Sequence, residues 1–311
     1  MTANIHGNEV AGIPALHRLL KPSLCAELRG SVVALPTLNP SGLRTNRRHP
    51  YYDDRDPNRT FPGMRKPDDG VAELSPYERL AERILGSIGE SADYYIDLHC
   101  ASILSTPFVI RDRVLFRHES ERATAAALSD TLDEMAAAFG FPVVAEYRVP
   151  AYLAKELHRS TTGAALQELQ VPAFTAELGA HTVVDELAVE ATVVGLRNVM
   201  RWAGMLGGSN EAMPVIAQPP HRRRLRREEG PFAPSTGLLD YRVVPGSYVR
   251  ASEAIADLKD IWGRPIGEGV VKASADSWVL GLEDGMLAYP GVAIAHIAIE
   301  DEMPLVERWP G

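Results

Sequence analysis

Apolar residues at Val10, Ile13, Leu16, Leu19 and Leu20 recur with helical spacing and predict a helix over residues 9–20, opening just after a Gly-Asn turn. Glu9 is then expected in its first turn. Residues 31–38 form a short run with β-branched positions that stops at Asn39-Pro40-Ser41-Gly42, a strand followed by a turn. From residue 43 to residue 70 no element is evident, and so long an irregular stretch inside a compact domain marks a functional loop or disorder. Helical spacing resumes at Leu80, Ile84, Leu85 and Ile88, with Ser75 as N-cap and Pro76 at the first helical position. Residues 94–99, 106–110 and 173–178 read as buried strands, and residues 119–139 and 184–206 as helices. Helices alternating with short apolar strands predict an α/β layer architecture around a largely parallel or mixed sheet.

The pattern changes after Gly207-Gly208-Ser209-Asn210. Runs at 238–244, 248–249, 254–258, 269–272, 277–280 and 292–299 are too short for helices, rich in Val, Ile and aromatic residues, and separated by glycine turns. The expected division is therefore a first domain over 1–211 and a small all-β C-terminal domain over 212–311.

Composition supports this division. A chain of 311 residues with 45% hydrophobic and 23% charged positions has room for two globular domains at roughly 100–200 residues each. The net charge of −9 argues against a general nucleic-acid or anionic-membrane binder. Cys25 and Cys100 are too few for a disulfide scaffold or a thiolate metal cage, so any metal must use His and carboxylate ligands. No export signal opens the chain and no apolar window approaches the ~18 residues of a membrane span, so a cytoplasmic protein is expected.

Four segments could carry chemistry. In His6-Gly7-Asn8-Glu9, a His at a strand end and a Glu in the next turn can converge on one metal ion, with the glycine permitting the tight turn. The same spacing at His118 and Glu121 shows how easily the pattern arises. Asp97-Leu98-His99-Cys100 places a His at the C-terminal end of a strand, with Asp97 on the same face as a candidate orienting partner. Between residues 44 and 66, seven cations (Arg44, Arg47, Arg48, Arg55, Arg59, Arg65, Lys66) face three acids (Asp53, Asp54, Asp56), a patch suited to a small organic anion. Glu177 ends an apolar strand, an uncomfortable place for a charge unless it is paired or catalytic. The basic run over 221–227 reads as a solvated edge or an interface with the first domain.

In order, His6-Gly7-Asn8-Glu9, Asn39-Pro40-x-Gly42, Asp56-Pro57-Asn58-Arg59-x-Phe61-Pro62-Gly63, Asp97-Leu98-His99 and Glu177-Leu178-Gly179 resemble the succinylglutamate desuccinylase/aspartoacylase family, a branch of the zinc carboxypeptidase-like fold. The resemblance spans essentially the whole chain. It implies a mixed central sheet with helices on both faces, followed by a small β domain. It implies further that His6, Glu9 and His99 bind one Zn²⁺ per chain, that Glu177 is general base and acid, and that Asn58 and Arg59 grip a substrate carboxylate. One of Arg44, Arg47 and Arg48 would stabilise the oxyanion, with Arg48 favoured. The implied activity is deacylation of a small N-acyl amino acid or related N-acylated amine, with the metal's water as nucleophile. Alternatives are a carboxypeptidase acting on peptides, or a non-catalytic binding protein of the same fold. No nucleic-acid or membrane partner is expected; the β domain would shape the cleft entrance or mediate homo-oligomerisation.

Two departures stand out. Asp-Pro-Asn-Arg replaces the family's Asp-Leu-Asn-Arg, which removes one amide donor at Pro57. Met1 lies five residues before His6, where family members carry a preceding strand; the resemblance thus implies a truncated start or a sheet short of an edge element.

Overall fold

The strand that carries His99, Tyr95–Ala101, is buried on both sides, so even its polar members Asp97 and His99 lie out of solvent beside Ile96, Leu98 and Cys100. The computed structural model describes residues 1–63, 74–283 and 285–310. Its main sheet contains β1 (Thr2–Ala3), β2 (Tyr95–Ala101), β3 (Pro107–Arg111), β4 (Val143–Ala145), β5 (Ala173–Ala180), β6 (Leu225–Glu228), β7 (Tyr248–Val249), β8 (Ser277–Leu282) and β9 (Ala295–Glu300). These strands lie in the order β1-β2-β5-β3-β4-β6-β9-β8-β7, and Leu104–Ser105 adds to β8. The sheet is mixed: β1, β2 and β5 run parallel, β3 is antiparallel to β5, and β4 is parallel to both β3 and β6. It runs uninterrupted across residue 212, because β6 pairs with β4.

Helices cover both faces, as expected. Ile96, Leu98 and Cys100 of β2 enter one core with Leu16, Leu132, Phe139, Val189 and Leu196 from three helices, Gly12–Leu19, Arg122–Phe139 and Glu186–Trp202. Tyr95, on the other face, packs with Ala81, Ile84, Leu85, Ala164 and Ala165 from Pro76–Ser91 and Thr161–Leu169. The Ser75 N-cap and Pro76 stand where the sequence placed them, and Glu78 completes a capping box. A second sheet of four strands, Pro265–Lys272, Ala254–Lys259, Gly237–Tyr241 and Leu287–Ala288, closes over β8 and β9 with Ile255, Leu258, Val279 and Ile297 between them.

Several local expectations change. The first helix begins at Gly12, so Glu9 lies in the turn before it rather than in its first turn. Residues 31–38 make only an isolated bridge from Leu35 to Thr2, with Val33 and Leu35 exposed, so this run lies along the edge without becoming a strand. The loop contains a six-residue helix, Pro40–Thr45, and a 3-10 turn, Pro57–Arg59. Pro57 takes the first position of that turn, where a missing amide costs least.

The C-terminal segment is tied back to the first half by a buried ion pair. Arg113 donates from Nη2 to both carboxylate oxygens of Asp301 at 3.1 and 3.0 Å, both side chains fully buried, while Val306–Arg308 pairs in parallel with Val114–Phe116. Removing one member of a buried pair strands the other charge, so Asp301→Ala should cost about 3–5 kcal/mol in urea unfolding. Arg18→Ala, which breaks the exposed pair with Glu186, should leave the unfolding midpoint nearly unchanged. Equal losses would show that Arg113 and Asp301 do not fasten the two halves.

Candidate metal centre and its cleft

Side-chain alternation assembles the site on one face of the sheet. His99 is opposite Glu177, which is opposite Phe108; two steps on, Thr175 is opposite Ile110, Ile110 opposite Val144, and Val144 opposite Leu225. Residues paired across strands share a face, as do residues two apart along one strand. Asp97, His99, Glu177, Glu146 and Arg227 therefore look the same way, and Asp112 beyond β3 joins them. All of these but Asp97 line a cleft of about 520 Å³.

The His-Gly-Asn-Glu loop is held over this floor by two asparagine side chains. Asn4, buried and in a left-handed conformation (φ 57°), donates from Nδ2 to the carbonyls of His6, Gly7 and Glu9 at 2.9–3.1 Å. Asn39 caps the Pro40–Thr45 helix through Oδ1, and its Nδ2 donates to the carbonyls of Ile5 and Arg48. A Cβ on Gly7 would sit 2.0 Å from the carbonyl carbon of Gly42. Glycine is required at position 7 by that close approach of two backbones, rather than by the turn itself.

The three candidate ligands then meet. Glu9 receives His6 Nδ1 at 2.7 Å on Oε1, and His99 Nδ1 at 2.9 Å and the Cys100 amide at 3.1 Å on Oε2. One donor atom from each of His6, Glu9 and His99 lies within 4.8 Å of the others, and all three residues are buried. The outer nitrogen of each imidazole rests on a carboxylate, His6 Nε2 on Asp56 and His99 Nε2 on Asp97, both at 2.9 Å. Asp97 is fixed in turn by the hydroxyls of Thr2 and Thr161. Two imidazoles, one carboxylate and carboxylate-backed outer nitrogens are a donor set that fits a Zn²⁺ site. Burial opposes the charge on Asp97, but His99 and the two hydroxyls hold its carboxyl below the usual range.

Arg48 alone of the three candidate arginines reaches the ligands, at 3.1 Å from Glu9 and 2.9 Å from Asp56. Arg44 and Arg47 are exposed, and Arg65 and Lys66 lie outside the described residues. Asn58 is buried, and its Oδ1 accepts the Thr161 amide. Arg59 lines the cleft and, among the described residues, pairs with no carboxylate; burial pulls its pKa down. Glu177 is half-buried, its Oε2 is out of solvent and lacks a hydrogen-bond partner among the described residues, and burial pushes its carboxyl up. By contrast, Glu121 accepts the backbone amide of His118 at a helix start, the capping alternative to a metal pair.

The basic run contributed more than an edge. Arg223 and Arg224 are absorbed by Glu300 and Asp301, and Arg226 is buried against Glu228. Arg227 enters the cleft, 2.6 Å from Glu146 and 4.8 Å from the centre of the Tyr147 ring. Arg227, Glu146, Asp112 and the two bracing asparagines as a pair were not anticipated. An acid closing an apolar run, as in Val143-Val144-Ala145-Glu146, is the signal already used for Glu177.

The catalytic-domain model of succinylglutamate desuccinylase and aspartoacylase matches residues 1–203. The chain belongs to this family. It is 26% identical over 268 residues to the N-alpha-acetyl-L-2,4-diaminobutyric acid deacetylase of Halomonas elongata, covering 84% of this chain and 70% of that protein. It is 36% identical over 107 residues to the succinylglutamate desuccinylase of Pseudomonas paraeruginosa, covering 32% of this chain and 30% of the relative. Among solved structures, a succinylglutamate desuccinylase/aspartoacylase from Rhodobacter sphaeroides superimposes with TM-score 0.75 at 24% identity, covering 97% of this chain and 85% of that one. The family fold, a mixed α/β sheet continued by C-terminal β structure, is the one described above. No helix among the described residues is long and apolar enough to cross a membrane.

If the triad is the metal site, His99→Ala should lose stoichiometric Zn²⁺ by elemental analysis. Asp97→Asn should keep the ligands but weaken Zn²⁺ by about 10–100-fold in competition with a chelator. Unchanged zinc in both variants would remove His99 from the ligand set.

Proposed function

We propose that the protein is a zinc-dependent amidohydrolase that removes the acyl group from a small, carboxylate-bearing N-acyl amino acid or related N-acylated amine. The observation that carries this reading is the Oε2 of Glu177, out of solvent and unpartnered among the described residues, on the strand beside His99. A carboxylate with a free oxygen next to a His-Glu-His donor set is equipped to move a proton. Zn²⁺ held by His6, Glu9 and His99 would supply a Lewis acid that polarises the scissile carbonyl and makes water more acidic.

Every other role falls to the chain's own side chains. Glu177 takes the proton of the attacking water and passes it to the departing amine, so a carboxylate and an amine are released. Arg48, already beside Glu9, stabilises the negative charge that develops on the carbonyl oxygen. Arg59, a half-buried guanidinium without a carboxylate partner among the described residues, meets the substrate carboxylate, and Asn58 sets its position through Thr161. The two relatives act, by name, on an N-acetylated diamino acid and on an N-succinyl amino acid, both amides of this kind.

Glu177→Gln should retain zinc and lose turnover by at least ~100-fold on whichever N-acetyl or N-succinyl amino acid the wild type hydrolyses. A fully active variant would exclude Glu177 as the base. Arg59→Ala should raise KM for carboxylate-bearing substrates with a smaller effect on kcat. Hydrolysis of dipeptides in preference to acylated amino acids would assign the site to a peptidase.

A further inference from the structure

Thr161 reaches two parts of the site at once. It is the first residue of the helix Thr161–Leu169, where a backbone amide has no partner within the helix, and that amide donates instead to Oδ1 of Asn58 at 2.8 Å. Its hydroxyl donates to Oδ2 of Asp97, the oxygen that also receives His99 Nε2 at 2.9 Å. On the far side of Asn58, the amide of that residue donates to Oδ1 of Asp56 at 2.8 Å, and the same oxygen meets His6 Nε2 at 2.9 Å. Glu9 joins the two imidazoles, so a closed ring runs through Asn58, Asp56, His6, Glu9, His99, Asp97 and Thr161. The turn that carries Arg59 is thus tied to both imidazoles, to His6 through Asp56 and to His99 through Thr161.

Burial makes these bonds matter. Asp97 and Thr161 are both fully out of solvent, so a carboxylate oxygen that loses the hydroxyl has no water to replace it. The helix start is itself docked on the turn: the Phe61 amide donates to the Arg159 carbonyl at 3.1 Å, and Arg159 Nε donates to the Phe61 carbonyl at 3.3 Å. Arg59 is anchored in the same place, since its Nη1 donates to the Asn58 carbonyl at 2.6 Å. Backbone contacts therefore fasten the helix to the Arg59 turn, and the Thr161 hydroxyl joins that unit to the carboxylate behind His99.

We propose that Thr161 is a positioning residue that locks the carboxylate-binding turn to the metal ligands, so that holding Zn²⁺ and placing Asn58 and Arg59 are energetically coupled. This rests on the metal and substrate-carboxylate roles assigned above and names the residue that sets one against the other. Coupling of this kind is reciprocal, so a change confined to the turn must be felt at the metal. The fixed separation matters because a substrate gripped at one end by Arg59 presents its scissile carbonyl correctly only if the metal stands at a set distance.

The test is a double-mutant cycle read as Zn²⁺ affinity, measured by competition with a chelator on wild type, Thr161→Val, Asn58→Leu and the double variant. Thr161→Val should weaken zinc by ~10-fold, as loss of an outer hydrogen bond to a ligand does. Asn58→Leu, whose side chain touches neither imidazole nor the carboxylates behind them, should still weaken it by ~3-fold or more, and the double variant should be no worse than about the poorer single one. Thr161→Ser keeps the hydroxyl and should remain within about twofold of wild type. Thr162→Val removes a buried hydroxyl from the same helix turn, one bonded to Asp112 and Thr175 instead, and should also remain within about twofold. Wild-type zinc affinity in Thr161→Val or in Asn58→Leu, additive losses, or equal damage from Thr162→Val overturns the assignment. A wild type that takes up no stoichiometric zinc sinks the metal reading and this assignment together. One that binds zinc but hydrolyses no acylated amino acid sinks the deacylase reading alone, because no arm of the cycle uses a substrate.

Discussion

Glu9 carries a carboxylate at 4% exposure, and a charge so far from water persists only where hydrogen-bond donors surround both of its oxygens. Here those donors are two imidazoles, one guanidinium and one backbone amide, delivered by three separate stretches of chain. Burial opposes its ionisation, and His6 and His99 nevertheless hold Glu9 well below the usual carboxylate range. The surrounding architecture follows from keeping those donors in place. Asn4 and Asn39 clamp the loop carbonyls, Gly7 and Gly42 let two backbones touch, and Asp56 and Asp97 fix the imidazoles from behind.

The same constraint explains why the sheet must be mixed and continuous. β2 and β5 run parallel and present His99 and Glu177 at the same edge, where crevices form beyond the strand ends. β3 then reverses, and β4 and β6 extend the floor into the C-terminal half, so that Arg227 reaches a cleft whose ligands come from residues 6, 9 and 99. The second four-stranded sheet packs on β8 and β9 and stands further from the ligands.

How much of this was legible follows from how local each signal is. His6, Glu9, Asn58, Arg59, His99 and Glu177 lie in short motifs whose residue types state their chemistry, and the structure brings all six to one cleft. Ser75-Pro76 marked a helix start because capping acts over a few residues. The strand β4 was missed because three residues are too few for a period to show, and Thr161–Leu169 because nearly all of it is buried, leaving no polar face to set the rhythm. Arg227 was the hardest to see. Its role depends on β6 pairing with β4, a contact across some eighty residues of chain, and nothing in His221-Arg222-Arg223-Arg224-Leu225-Arg226-Arg227 distinguishes the inward-facing arginine except alternation about Leu225.

The overall charge of −9 obscured how the cleft is balanced. Arg48 is set against Glu9 and Asp56, and Arg227 against Glu146, so these charges are met within the chain. Three groups are left without an ion-pair partner among the described residues: the Arg59 guanidinium, the Glu177 carboxyl and the Asp112 carboxyl. Unmatched buried charge lowers stability, and a chain that accumulates three such groups around one cleft gains nothing from them in folding alone. Under the proposed function two of them have a use, the Arg59 guanidinium against an anionic group and the Glu177 carboxyl in moving a proton.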